Sequence, residues 1–317
     1  MTAFNDNHFG DGLFDAEPVS AGVTLADRFG VPPFSVLDRR SGVWQERKER
    51  WLSLGIKSEV GRGDGLTFAT TSNPDFAEKF NKIGGTSVFD PVLCELVYRW
   101  FTRPGAHVLD PFCGGSVRGV VAGALERRYT GIDIRAEQIT ANREQVDLAG
   151  GMDPTWLVGD ATDLNAAVGA GARFDMVFSC PPYADLEVYS DDPRDLSTMD
   201  YPDFVDGHAK AIKDACSLLR DNRYAAWVIG DVRDHRGRYR GLHHATVDAF
   251  LEAGLHVLNE FVTVDPVGSA AIRAPRPFTA NRKATTCHQH LLVFVKGDVR
   301  RAADWAGSDT ADREAMA

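Results

Sequence analysis

The sequence predicts an α/β fold, a mostly parallel sheet covered by helices on both faces. Three observations predict it. From residue 90 onward, short apolar runs alternate with helix-length segments. Several of these runs end in Asp, Gly or Pro, the residues of tight turns. The last two runs lack a helical pattern between them and read as an antiparallel pair closing the sheet.

Element by element, Asp90-Pro91 opens an apolar-periodic helix through Trp100, with Pro91 suited to a first turn whose N–H would be unpaired anyway. After Gly105, residues 106–109 read as a buried strand, 119–128 as a helix, 129–134 as a strand and 136–149 as a helix. Further strands are expected at 155–158, 176–178 and 225–229, with helices at 204–219 and 241–253. Residues 256–264 and 290–295 form the expected antiparallel pair, joined by a long loop. Upstream, residues 42–55 carry Trp44, Trp51, Leu52 and Leu54 among charges, a short amphipathic helix ending at Gly55. The layout is therefore a flexible acidic leader (1–30), a basic and aromatic extension (31–85), one main domain (86–297) and a flexible tail (298–317).

Composition bounds the function. A hydrophobic content of 44% and a charged content of 25% over 317 residues are globular values. No run of about 18 apolar residues is present, and no basic stretch leads into an apolar one near residue 1. A soluble cytoplasmic protein with no membrane partner is expected. The five cysteines, at 94, 113, 180, 216 and 287, are scattered, and no two are spaced C-x-x-C. That usage argues against a disulfide framework or a zinc site, and no metal is expected.

A net charge of -10 is the wrong sign for coating nucleic acid through an overall field. Three basic clusters stand against it: Arg39, Arg40, Arg47, Lys48, Arg50, Lys57 and Arg62; Arg233, Arg236, Arg238 and Arg240; Arg273, Arg276, Arg282 and Lys283. Each alone reads equally well as a solvated face. Together, and with the loop at 265–289, they offer phosphate contacts that give affinity without sequence preference.

The chemistry lies in two segments. Val108-Leu-Asp-Pro-Phe-Cys-Gly-Gly-Ser116 is a strand ending in Asp110 and followed by Gly114-Gly115, a turn that lets a ligand approach the backbone. Asp133, in Gly131-Ile-Asp-Ile134, lies about twenty residues on, where an acid can bind ribose hydroxyls. Phe178-Ser-Cys-Pro-Pro-Tyr183 sets a planar ring beside two prolines at the end of another strand. Read singly, Asp110 has a lesser alternative as a plain cap of its turn, and Asp160 as a surface turn residue.

In order, Phe89-Asp90-Pro91, Asp110-Pro111-Phe112-Cys-Gly114, Gly131-Ile-Asp133, Gly159-Asp160-Ala161 and Cys180-Pro-Pro-Tyr183 resemble motifs X, I, II, III and IV of the DNA amino-methyltransferases. The resemblance covers about residues 75 to 297. It implies the class I (Rossmann-like) methyltransferase fold, seven strands with one antiparallel, and S-adenosyl-L-methionine (AdoMet) as methyl donor. It further implies transfer to adenine N6 or cytosine N4 of a base flipped out of double-stranded DNA.

By the same resemblance Phe89 and Asp90 flank the methionine end of the cofactor, Pro111, Phe112, Gly114 and Gly115 form the motif I loop, and Asp133 with Ile134 follows the second strand. Asp160, beside Ala161, faces the adenine. Pro181 and Pro182 stiffen a loop in which the Pro181 carbonyl accepts an amino hydrogen and Tyr183 stacks on the base.

Two departures stand out. Motif I commonly reads Gly-x-Gly-Thr where this chain has Gly114-Gly115-Ser116-Val117, so contacts made by the Thr of relatives are not carried over. Cys180 stands where Asp, Asn or Ser is expected, and sulfur accepts a hydrogen bond only weakly. Ser179 or a backbone group is then the expected replacement acceptor. Alternatives are a C5-pyrimidine methyltransferase with Cys180 as nucleophile, a non-catalytic AdoMet- and DNA-binding relative, and an RNA or protein-glutamine methyltransferase. The stretches Pro33-Phe-Ser-Val-Leu-Asp-Arg-Arg and Trp44-Gln-Glu-Arg-Lys-Glu-Arg-Trp51 look similar to parts of bacteriophage-borne methylases, pointing to self-protection or restriction-modification.

Overall fold

A computed structural model describes residues 24–57, 89–184, 189–268 and 270–307. Arg62 and the acids Asp185 and Glu187 lie outside the described residues. In chain order the helices α1 to α11 are Leu25–Phe29, Gly42–Leu52, Pro91–Phe101, Val117–Ala124, Ala136–Arg143, Leu164–Val168, Tyr201–Leu218, Leu242–Glu252, Ala270–Arg273, Pro275–Asn281 and Val299–Ala306. The strands β1 to β8 are Val36–Asp38, His107–Asp110, Arg128–Asp133, Thr155–Val158, Phe174–Ser179, Leu219–Ile229, His256–Val264 and His288–Lys296.

The strands form one sheet in the order β1-β7-β8-β6-β5-β2-β3-β4. Every pairing is parallel except those of β8, which runs antiparallel to both β6 and β7. One strand more than the expected seven is present: β1, from the N-terminal extension, pairs parallel with β7.

The central strands are apolar on both sides because helices cover both faces. On one face Val108, Met176, Phe178, Val228, Leu291 and Val293 pack against α3 and α4. On the other, Val177, Trp227, Ile229, Leu292 and Phe294 pack against α7 and α8. Alternation along β8 is direct, odd residues to the first core and even to the second. Helix α3 illustrates the local causes. Asp90 caps it by accepting the Val92 N–H at 3.0 Å, and Pro91 fills its first position. Its Leu96 and Val97 are fully buried, each worth about 1.5–3 kcal/mol, so an Asp at either position would break the packing.

Both expected flexible ends are corrected where they are described. Thr24 and Asp27 form a capping box on α1, inside the expected leader, and the Phe29 carbonyl accepts the Trp100 indole N–H at 2.9 Å. In the expected tail, Asp298 caps α11, Ala302 is fully buried, and the Arg223 guanidinium lies 3.6 Å from the Trp305 ring centroid. The long loop expected between β7 and β8 contains the two short helices α9 and α10. No described helix is long and apolar enough to cross a membrane.

Candidate active site

Because β1 through β7 all run in one direction, with only β8 reversed, their carboxyl ends share one edge of the sheet, where ligands of open α/β sheets bind. A cavity of about 320 Å³ opens there, within the range of small-molecule sites.

Its floor is built from the end of β2. The Asp110 carboxylate is completely buried and receives Arg118 Nε at 2.5 Å, the Tyr129 hydroxyl at 2.6 Å and the Ser179 hydroxyl at 2.6 Å. Arg118 also donates to the carbonyls of Phe112 at 2.6 Å and Cys113 at 3.0 Å, and lies 4.4 Å from the Phe89 ring centroid. One buried ion pair thus ties β2, β3, β5 and α4 to the turn that follows. Gly114 holds a φ of +49°, a conformation that a side chain disfavours. Its N–H donates to Asp133 at 3.0 Å, and its carbonyl accepts Asn142 Nδ2 at 2.7 Å.

The walls carry most of the expected cofactor residues. Phe89, Pro111, Phe112, Gly114, Gly115, Asp133, Ile134, Asp160 and Ala161 all line the cavity. Asp133 has its carboxylate sunk in the wall; burial lifts its pKa to about 6, against the lowering pull of the Arg135 and Gly114 N–H groups. Asp160 accepts the N–H and hydroxyl of Thr162 at 2.7 and 2.8 Å. It is therefore both a turn cap and a wall residue. Cys113 is buried and its thiol is pushed well up by desolvation, an inert packing group.

Cys180, Pro181, Pro182 and Tyr183 line the far end together with Tyr189 and Gln289. Cys180 Sγ lies 3.5 Å from the Tyr183 hydroxyl, which accepts Gln289 Nε2 at 3.0 Å. Burial raises the Tyr183 phenol well above its ordinary value, so it stays neutral. Gly230 makes room for this ring: a Cβ there would meet Tyr183 Cε2 at 3.1 Å. Ala184 follows with φ +52°, a left-handed conformation that fixes the loop's exit at a cost of about 1 kcal/mol.

Three expected site residues are placed elsewhere. Asp90 is only 4% exposed, and its carboxylate accepts Arg39 and Trp44 Nε1 (3.2 Å) from the N-terminal extension. It anchors that segment and does not line the cavity. Asp110 sits beneath the floor. Ser179 is fully buried, donating to Asp110 and accepting the Phe112 N–H at 3.1 Å, so its hydroxyl is not available as the acceptor that Cys180 lacks.

The N-terminal basic cluster is likewise largely consumed by the fold: Arg39 pairs with Asp90 and Asp265, Arg40 with Asp38, and Arg47 with Glu95. Wall residues that sequence reasoning missed include Arg118, Arg135, Gln138, Arg194, Leu196 and Gln289. Gln289 comes from β8, more than a hundred residues from Tyr183, and carries no local signal.

Strand order and a pocket at the carboxyl edge, floored by a glycine turn, define the class I methyltransferase fold. No family model matches the chain. It is 33% identical over 82 residues to the tRNA (guanine(10)-N2)-dimethyltransferase of Pyrococcus abyssi (strain GE5 / Orsay), a match covering 26% of this chain and 25% of that protein. Among solved structures it is similar to TrmN from Thermus thermophilus (TM-score 0.46, 18% identity, 69% of this chain and 52% of that one). A second is magnesium protoporphyrin IX methyltransferase (ChlM) from Synechocystis PCC 6803 with bound SAM (TM-score 0.44, 15% identity, 78% and 90%).

Proposed function

We propose that this chain transfers a methyl group from AdoMet to the exocyclic amino group of a nucleic-acid base held at Cys180–Tyr183. The observation that carries the proposal is that one cavity joins the Gly114 turn and the Asp133 and Asp160 carboxylates to the Pro181-Pro182-Tyr183 loop. The donor set suits AdoMet. Asp133 offers a carboxylate to ribose hydroxyls, Asp160 an acceptor to the adenine amine, and Phe89 and Phe112 apolar walls. When bound, the sulfonium supplies an electrophilic methyl carbon that needs no metal and little acid-base help.

What remains for the protein is positioning. The Pro181 carbonyl accepts one hydrogen of the target amine, which directs the nitrogen lone pair, and two prolines leave no N–H to compete with it. Tyr183, steadied by Gln289, offers its ring to the base. Buried Ser179 leaves the second amino hydrogen to Cys180 or a backbone group. Nucleic acid as substrate is supported by topology, because the loops after β6 and β7 rise from the same sheet edge as the cavity. They meet through the Tyr239 and Thr286 hydroxyls at 3.4 Å, and expose Tyr239, Ile272 and Phe278 among Arg236, Arg238, Arg276 and Lys283.

DNA, at adenine N6 or cytosine N4, is the first reading, from the order of the motifs. RNA is the second, favoured by the 82-residue match to an enzyme named for a base amino group, guanine N2. The test is incubation with methyl-labelled AdoMet and either duplex DNA or tRNA, digestion to nucleosides and mass spectrometry. N6-methyladenine or N4-methylcytosine supports the first reading, and N2-methylguanine in RNA moves the substrate to the second. Labelled 5-methylcytosine, or no label in either polymer, overturns the proposal.

A further inference from the structure

The face of β8 opposite Gln289 carries a second constellation. His290 follows Gln289, so the two side chains point to opposite sides of the sheet. His290 Nδ1 lies 2.8 Å from Glu260 Oε1 in β7, and His243 Nε2, in the first turn of α8, lies 3.1 Å from the same oxygen. All three ligand atoms fall within 4.8 Å of one another. Glu260 pairs with Leu292 and His290 with Val262, which makes the carboxylate and the imidazole diagonal neighbours on one face. The helix end that brings His243 is pinned by Asp231, which accepts the Leu242 N–H at 3.2 Å. Two more imidazoles stand close: the His288 ring centroid is 5.2 Å from that of His290, and His244 is 5.5 Å from His243.

We propose that His243, Glu260 and His290 form a binding site for a zinc ion. Two imidazole nitrogens and a carboxylate are a recurrent zinc donor set, whereas magnesium and calcium select oxygen-only sites. Donors held at about 2.0–2.1 Å around a tetrahedral ion stand roughly 3.3 Å apart. The two nitrogen–carboxylate spacings of 2.8 and 3.1 Å open slightly to reach that, and the two ring nitrogens, within 4.8 Å of each other, come to the same separation by side-chain rotation. In the ion-free form the two ring nitrogens converge on one carboxylate oxygen; zinc would take the lone pair of each, with the proton of each neutral ring carried on its other nitrogen. Access is open: the Glu260 side chain is 45% exposed and the imidazoles 19% and 20%, which leaves room for His288 or water as a fourth ligand.

Cysteine spacing had argued against zinc, but these ligands come from a helix and two strands, positions 243, 260 and 290. Zinc here would clamp α8, β7 and β8 one residue from Gln289, which steadies Tyr183. The site stands independently of the substrate assignment.

The test uses the untagged full chain, stripped with chelator and titrated with Zn²⁺ by calorimetry, with Co²⁺ absorption as a check on tetrahedral ligation. The expected result is one equivalent bound, with affinity at least about 100-fold weaker in His290→Ala and in Glu260→Gln, since loss of a mere supporting partner already costs 10–100-fold. His235→Ala, an exposed histidine on another loop, keeps wild-type affinity. Glu260→Gln preserves side-chain size and serves if His290→Ala misfolds. No Zn²⁺ binding to the wild type, or wild-type affinity retained in both ligand variants, overturns the site and leaves a hydrogen-bonded His-Glu-His network.

Discussion

Asp133 gives the sharpest prediction, because its pKa of about 6 links cofactor binding to pH near neutrality. Raising it from 3.8 makes ionisation of this carboxyl about 3 kcal/mol less favourable in the folded chain than in the open one. For stability the sign is that of a raised acid: the native state holds the proton more tightly. The contribution is complete below the unfolded value of 3.8 and is lost as pH rises through about 6. Cofactor binding has the opposite sign, since only the carboxylate accepts two ribose hydroxyls. At about pH 5 roughly one Asp133 in ten is ionised, so AdoMet should bind about tenfold more weakly than at about pH 7.5. Asp133→Asn should bind weakly at both values, with no pH dependence over that window. Isothermal titration calorimetry on both proteins across this range is the assay. Equal pH dependence in wild type and variant would refute the reasoning, because the titrating group would then not be Asp133.

Other perturbations separate structure from chemistry. Arg118→Met leaves the Asp110 carboxylate buried without its cation and should cost about 3–5 kcal/mol in urea denaturation; a loss under about 1 kcal/mol contradicts the floor described here. Gly230→Ala pushes the Tyr183 ring by a few tenths of an ångström and should lower methyl transfer by up to about tenfold while AdoMet affinity holds, an outcome read from steady-state kinetics and calorimetry. Asp90→Asn should lower the melting temperature without changing AdoMet affinity, because that carboxylate faces the N-terminal extension. Cys180→Ser should retain activity within about tenfold, whereas loss to background would favour a covalent role for the thiol.

The sheet was legible because buried parallel strands are short apolar runs, and most are found within a few residues of where the sequence places them. Less visible were β1, too short to show a period, and α9 and α10, whose Ala, Arg and Pro residues read as loop. Within the site, the turn residues and Cys180–Tyr183 announced themselves because glycine, proline and aromatic side chains are constrained locally. Asp90, Asp110 and Ser179 misled for the opposite reason. A carboxylate or hydroxyl at a strand end looks alike in sequence whether it faces the cavity or, as here, bonds Arg39, Arg118 or Asp110 beneath it. Gln289 and the His243, Glu260 and His290 group depend on strand pairing alone.

The claim that this cavity is the methyl-donor site is tested most directly by photocrosslinking methyl-labelled AdoMet to the full chain and mapping the labelled peptides. The account predicts label in the peptides containing Pro111–Arg118, Asp133–Gln138 or Cys180–Tyr183, and its suppression in Asp133→Asn. Label confined to peptides remote from the carboxyl edge of the sheet, or undiminished in that variant, would contradict it.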